Sequence, residues 1–264
     1  LTNIDLPESL SFLGTYTFQN SGLTSVTIPA NVKHLSLGKG SPVTTTGTFS
    51  VFLFDGCTSL TTVVFSEGLE TMGRNIFSGC TSLESVTLPR SLYLMQRDNF
   101  TGSGLKSITI PATLTEWDYA FSGCTSLTSV TLEEGVTNIA YTAFSGCSNL
   151  TSVTMPDTLE TIEYSAFANC TSLSNFVLPQ SVVEIAGSVF LNCTSMKSIL
   201  IYPNTAISST NTFSGWTAEQ TIYIMESQYV VSNYWYGPVN ATSTSNWFAN
   251  CNAKIVYDYT PAQD

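Results

Sequence analysis

Apolar residues recur along this chain with a fixed long period. Phenylalanine stands at Phe54, Phe77, Phe100, Phe121, Phe144, Phe167, Phe190 and Phe213, in steps of 23, 23, 21, 23, 23, 23 and 23 residues. Phe18 and Phe248 continue the series beyond longer gaps. Each period has three parts. The first is F-x-x-C-x-x-L. The second is an extended phrase, L-x-x-V-x-L, as in Leu127, Val130 and Leu132, or Leu173, Phe176 and Leu178. The third is a return, L-x-x-I-x-x-x-A-F, as in Leu159, Ile162, Ala166 and Phe167.

The extended phrase alternates apolar and hydroxyl residues with period two, which predicts a half-buried strand. Its Thr and Val residues suit a pleated surface. Pro29, Pro89, Pro111, Pro156 and Pro179 each follow the phrase directly. Proline brings no N–H to a ladder and so ends a strand. One short strand cannot bury its own apolar side, but stacked copies can, as a parallel sheet along a solenoid. With strands about 4.8 Å apart, roughly ten coils give a sheet on the order of 45 Å long. Residues 1–264 are therefore expected to form a single repeat domain. Two segments break the step. Residues 37–50 are rich in Gly, Thr and Ser, and residues 226–247 are rich in aromatics. Both are read as insertions.

The motif F-x-G/N-C-T-S-L-x-S-V-T-L/I-P, with I-x-x-x-A-F, resembles the BspA-like (Treponema-type) leucine-rich repeats. The match covers about residues 10–225 and is expected to reach 257. It implies an α/β repeat: a right-handed leucine-rich-repeat solenoid of mostly parallel β-strands. Strands would line the concave side, with short helical or 3₁₀ turns and irregular returns on the convex side. The Phe100 copy departs from the motif. It reads FTGSGL, one residue short, with Ser103 in the cysteine position, and the Phe213 copy has Trp216 there. The resemblance implies a non-enzymatic bacterial cell-surface or secreted module that adheres to extracellular or host matrix proteins, its signal peptide removed.

Six of the seven cysteines, Cys57, Cys80, Cys124, Cys147, Cys170 and Cys193, fall three residues after the repeat Phe, and Cys251 follows Phe248 in the same way. Metal sites use paired C-x-x-C ligands, and no such pair occurs. A disulfide framework favours an even count, and side chains stacked in parallel point alike rather than at one another. The expectation is free thiols that fill space inside each coil and donate weakly.

Only 10% of residues are charged, and 8 basic against 19 acidic side chains give a net charge of −11. Phosphate binding needs clustered cations, so nucleic acid is excluded as a partner. No apolar run reaches the roughly 18 residues of a membrane span. His34 is the one histidine. No G-x-S-x-G, H-E-x-x-H or P-loop spacing occurs. Glu133–Glu134 and Glu160/Glu163 fall in returns, read as solvated turns, and a smooth solenoid offers no cleft for a carboxylate pair. No catalytic, metal or cofactor residue is expected. The sequons at Asn99, Asn149, Asn169, Asn192 and Asn240 are read as by-products of the repeat at partly buried positions.

Binding residues are sought on the outer face of the strands. One outward column is Thr62, Ser85, Ser107, Ser129, Ser152, Asn175, Ser198 and Thr221. The next is Val64, Thr87, Thr109, Thr131, Thr154, Val177, Leu200 and Tyr223, with Tyr202 nearby. The apolar end, Val177, Leu200, Tyr202 and Tyr223, is a candidate interaction patch. Tyr229, Tyr234, Trp235 and Tyr236 in the second insertion are candidate anchors for a protein or a glycan; the alternative reading of that segment is a cap over the solenoid end. A structural spacer presenting another domain is the other reading of the whole chain.

Overall fold

The computed structural model describes residues 1–35, 50–174, 176–208, 211–225 and 251–256. The insertions at residues 37–49 and 226–247 lie outside the described residues, as do Tyr229, Tyr234, Trp235 and Tyr236. Among the described residues fifteen strands run in chain order: β1 (Ser25–Ile28), β2 (His34–Leu35), β3 (Thr62–Phe65), β4 (Thr71–Met72), β5 (Leu94–Met95), β6 (Ser107–Ile110), β7 (Ser129–Leu132), β8 (Asn138–Ile139), β9 (Ser152–Thr154), β10 (Thr161–Ile162), β11 (Glu184–Ile185), β12 (Ser198–Ile201), β13 (Ala206–Ile207), β14 (Thr221–Ile224) and β15 (Lys254–Val256).

The extended phrase forms the longer strands. They pair in parallel as β1–β3, β6–β7–β9 and β12–β14–β15. The register repeats the sequence period: Val130 lies opposite Ile108 and Val153, and Thr131 opposite Thr109 and Thr154. Apolar members of each strand are buried and hydroxyl members are half-buried or exposed. The returns are more regular than the sequence suggests. Their L-x-x-I motif makes a second parallel ladder of two-residue strands, β2–β4–β5 and β8–β10–β11–β13.

The helical or 3₁₀ turns expected beside the Phe are not formed, and no helix occurs among the described residues. The backbone explains this. Two residues before the Phe, Phe52, Asn75, Asp98, Tyr119, Thr142, Ser165 and Ser188 all have φ between 50° and 62°. Two residues after it, Gly or Asn again has positive φ, as in Gly146 at 75° and Asn169 at 62°. A left-handed residue every fourth position stops a right-handed helix before one hydrogen-bonded turn is complete. The N–H groups bond forward to the next coil instead: Phe144 to Ala166 at 2.9 Å, Gly146 to Ala168 at 2.8 Å. The turns thus stack as a third hydrogen-bonded column.

The core is a stack of rungs. Rings of Phe18, Phe54, Phe77, Phe100, Phe121, Phe144, Phe167, Phe190 and Phe213 lie nearly parallel, with centroids 5.2–6.2 Å apart. All but Phe18 are fully buried. Offset stacking of such rings adds to the area they bury. The long-strand ladder has two breaks, at residues 85–88 and 176–178. Larger rings intrude beside each. Phe65 meets Phe77 edge-on at 5.9 Å, and Phe176 meets Phe167 and Phe190 edge-on at 5.4 and 4.9 Å.

Candidate functional site

Where the long strands pair, their outer face presents the predicted columns in register, while Ser85, Thr87 and Val177 fall at the breaks in the ladder and Asn175 lies outside the described residues. Ser107, Ser129 and Ser152 lie in one row and Thr109, Thr131 and Thr154 in the next. The threonines are exposed because the strand's period of two turns every second side chain away from the core. Toward the C-terminal end the row becomes apolar. Leu200 of β12 lies opposite Tyr223 of β14, which lies opposite Val256 of β15. Val177 is 79% exposed, the most exposed large apolar residue described. Leu200 and Tyr223 are half-buried. Tyr202, just beyond β12, is half-buried like Leu200 and Tyr223 and packs in part against the core.

The thiols do more than fill space. Cys57, Cys80, Cys124, Cys147, Cys170 and Cys193 each donate from Sγ–H to the carbonyl of the Phe one coil earlier, at 2.9–3.2 Å. That Phe carbonyl otherwise has only its own turn bond. Trp216 substitutes in the last such slot, and its Nε1–H reaches Phe190 O at 3.0 Å. Ser103 does not: its hydroxyl is buried with no partner. All seven cysteines are free. Burial pushes the thiols of Cys147 and Cys193 up to about 12, and those of Cys80, Cys124 and Cys170 up strongly as well. Such thiols are poor nucleophiles.

His34 is half-buried on β2, with Nδ1 3.0 Å from Thr71 Oγ1. Glu163 is not a solvated turn residue. It accepts from Asn138 Nδ2 at 3.0 Å, and burial raises its carboxyl above the usual range. Glu133 accepts from Arg90 at 3.0 Å. Among the described residues no group of three His, Cys, Asp or Glu is placed to hold a metal ion. The sequons divide: Asn99 is buried and Asn192 half-buried, while Asn149 and Asn169 are exposed and Asn240 lies outside the described residues. Their exposure comes from the turn geometry, which points these side chains outward.

The surface is not smooth. Two clefts flank the 21-residue coil between Phe100 and Phe121. On the strand side, a cleft of about 300 Å³ is bordered by Val86, Thr87, Leu88 and Thr109, where residues 85–88 leave the ladder. On the return side, a cleft of about 130 Å³ is lined by residues that include Arg74, Met95, Arg97, Glu116, Trp117 and Asp118. Arg97 lies 4.5 Å over the Tyr119 ring. Sequence reasoning missed these residues. The signal was present in the missing two residues of that coil and in Trp117 standing where other returns carry Leu, Met or Ile. Charge is also segregated: residues 107–196 hold eight carboxylates and no basic side chain.

The sequence matches a family model described as a BspA type leucine rich repeat region, in six copies over residues 1–38, 45–139 and 117–241. Among solved structures it is similar to a leucine-rich repeat protein from Bacteroides ovatus, 28% identical with a TM-score of 0.56, over 76% of this chain and 55% of that one. The chain therefore spans about half the length of that relative. It is also similar to a leucine-rich repeat protein of T. pallidum, 30% identical with a TM-score of 0.50, over 62% of this chain and 71% of that one. A leucine rich cell surface protein from Faecalibacterium prausnitzii is 20% identical, with a TM-score of 0.48 over 78% of this chain and 61% of that one. No curated protein matches the sequence.

Proposed function

The chain belongs to the BspA-type leucine-rich repeat family, and on that premise we propose that it is a non-enzymatic binding module at a cell surface or in secreted form. Its partners are extracellular or host matrix proteins, held on the outer face of the long-strand sheet. The observation that carries this reading is the composition of that face. Thr109, Thr131 and Thr154 form an uncharged row that passes into the apolar group Val177, Leu200 and Tyr223. A flat face of this kind can desolvate against a partner without stranding a charge, and its apolar end supplies an anchor. The eight carboxylates of residues 107–196, with no basic side chain among them, favour a partner of net positive charge at the approach.

The test is binding of the full chain to immobilised matrix proteins, with Thr131→Arg and Val177→Asp as face variants and a triple variant of Tyr234, Trp235 and Tyr236 to Ala. Loss of binding in either face variant, with circular dichroism unchanged, supports the proposal. Loss only in the triple variant moves the site to the second insertion. A glycan array on the same proteins then separates sugar from protein recognition. No binding to any probe supports the spacer reading.

A further inference from the structure

On the return side, the carbonyls of Arg97, Tyr119, Tyr141, Tyr164 and Gly187 accept N–H groups from the coil before, those of Asn75, Asp98, Tyr119, Thr142 and Ser165. The accepting residues therefore stand one above another on successive coils. Their side chains form a stack. The Arg97 guanidinium lies 4.5 Å over the Tyr119 ring. Tyr119 meets Tyr141 at 5.1 Å, and Tyr141 lies nearly parallel to Tyr164 at 5.6 Å. The stack is capped by a cation at one end. At the other end the next residue of the column is Gly187, which has no side chain to lay on Tyr164, and among the described residues no ring or cation covers that face. Tyr164 is accordingly 42% exposed, while Tyr119 and Tyr141 are half-buried. Its hydroxyl accepts from Ser188 Oγ at 3.3 Å, which helps hold the open ring in place.

Charge narrows what the open ring takes. Burial, and after it the nearby charges of Asp118 and Glu184, raise the Glu163 carboxyl above its ordinary range, so three carboxylates gather beside the stack. Residues 107–196 hold eight carboxylates and no basic side chain to offset them. The face of a tyrosine ring attracts a cation, and surrounding negative charge strengthens the attraction. Arg97 on Tyr119 is the same contact made within the chain. Guanidinium suits it better than ammonium, because it is planar and stacks. A sugar also lies on an open ring, but it leaves the gathered carboxylates without a counter-charge. Tyr164 and Glu184 are both exposed, so the surface does not enclose a small ion. It fits a longer chain that presents several cations.

We propose that the Tyr164 end of this stack docks a basic segment of a partner protein, with an arginine guanidinium laid on the Tyr164 ring and neighbouring cations facing Glu163 and Glu184. The site lies on the return side and does not depend on binding at the long-strand face.

The test is calorimetric titration of the full chain with an end-capped peptide of alternating glycine and arginine. The same peptide with citrulline for arginine, free arginine amide and maltotriose serve as controls. The expected result is saturable binding of the arginine peptide, at least about tenfold tighter than any control. Tyr164→Ala should weaken it about fivefold or more, while Tyr164→Phe retains most of it. Gly187→Arg should weaken it likewise, because the new guanidinium caps the ring from within the chain. Circular dichroism establishes that the variants are folded. No saturable binding of the arginine peptide would overturn the proposal. So would a citrulline peptide or free arginine amide that binds as tightly, or a folded Tyr164→Ala chain that binds like the wild type. Maltotriose binding that Tyr164→Ala abolishes, with none of the peptide, would also overturn it and assign the ring to glycans.

Discussion

The coil from Phe144 to Phe167 and the coil from Phe100 to Phe121 are built from the same motif and differ by two residues. In the first, each inward donor finds an acceptor one coil away. Cys170 reaches Phe144 O, the Phe144 N–H reaches Ala166 O, and β9 holds its register on β7. In the second, Ser103 and Trp117 keep buried donors without partners, and a cleft opens on each side. Gly104 shows the mechanical cause. With one residue missing from the turn, its backbone is pressed onto the coil before, so that a Cβ there would meet Thr81 O at 2.2 Å. A repeat stabilises itself by translation: a group that is satisfied once is satisfied in every coil. A coil out of step loses that, and the loss makes room for chemistry.

The largest expected effect is alkaline lability of the regular coils. Burial keeps their folded thiols protonated, whereas thiols of the unfolded chain ionise near 8.5. Above that pH the unfolded state binds fewer protons, so stability falls as pH rises, by about 1.4 kcal/mol per pH unit for each such thiol. The decline begins near pH 8.5 and continues toward about 12, where Cys147 and Cys193 titrate in the folded chain. The short coil contributes nothing here, because Ser103 does not ionise. Denaturant melts at pH 7.5 and 9.5 check this, and equal stability at the two would break the account. The thiols should also react with Ellman's reagent only after denaturation.

Core truncation should come next. Phe144→Ala removes a ring from the middle of the stack and should cost about 3–5 kcal/mol. Trp117→Phe should cost less than about 1.5 kcal/mol, because it deletes an unmet donor along with some volume. Urea denaturation of the two variants sharpens the contrast, and equal losses would contradict it.

Glycine separates the coils in another way. Gly104→Ala forces a Cβ into Thr81 and should destabilise by about 1–3 kcal/mol. Gly146→Asn should be nearly neutral, since Asn169 and Asn192 already hold the same slot with φ of 62° and 59°. Thermal melts decide between them. The smallest effect is a gain. Ser103→Cys restores the donor that other coils aim at the preceding Phe carbonyl and should stabilise by about 0.5–1.5 kcal/mol. A loss of stability would show that the short coil cannot accommodate the larger sulfur.

The period, the strand positions and the outward columns were legible because a side-chain period of two and a coil period of 23 are written directly in residue type. The thiol bonds were only half legible. Sequence places Cys inside the coil but does not show which carbonyl lies above it. The turns were misread as helical because F-x-x-C-x-x-L has helix-like spacing, while the left-handed position before the Phe is held mostly by residues that do not announce it, such as Phe52, Tyr119, Thr142 and Ser165. Val177 and Tyr223 take the outward positions that their column predicts, while Tyr202 follows the strand's end and belongs to no column. The cleft of Arg97 and Trp117 depends on how a short coil meets its neighbours: the missing two residues mark where the period fails but not the shape that results.

Residue-resolved amide hydrogen exchange tests the contrast most directly. Amides of Val130, Thr131 and Val153 should exchange only with global unfolding, while those of residues 85–88, beside the short coil, should exchange about a hundredfold faster or more. Equal protection of the two sets would contradict the interruption of the long-strand ladder at residues 85–88.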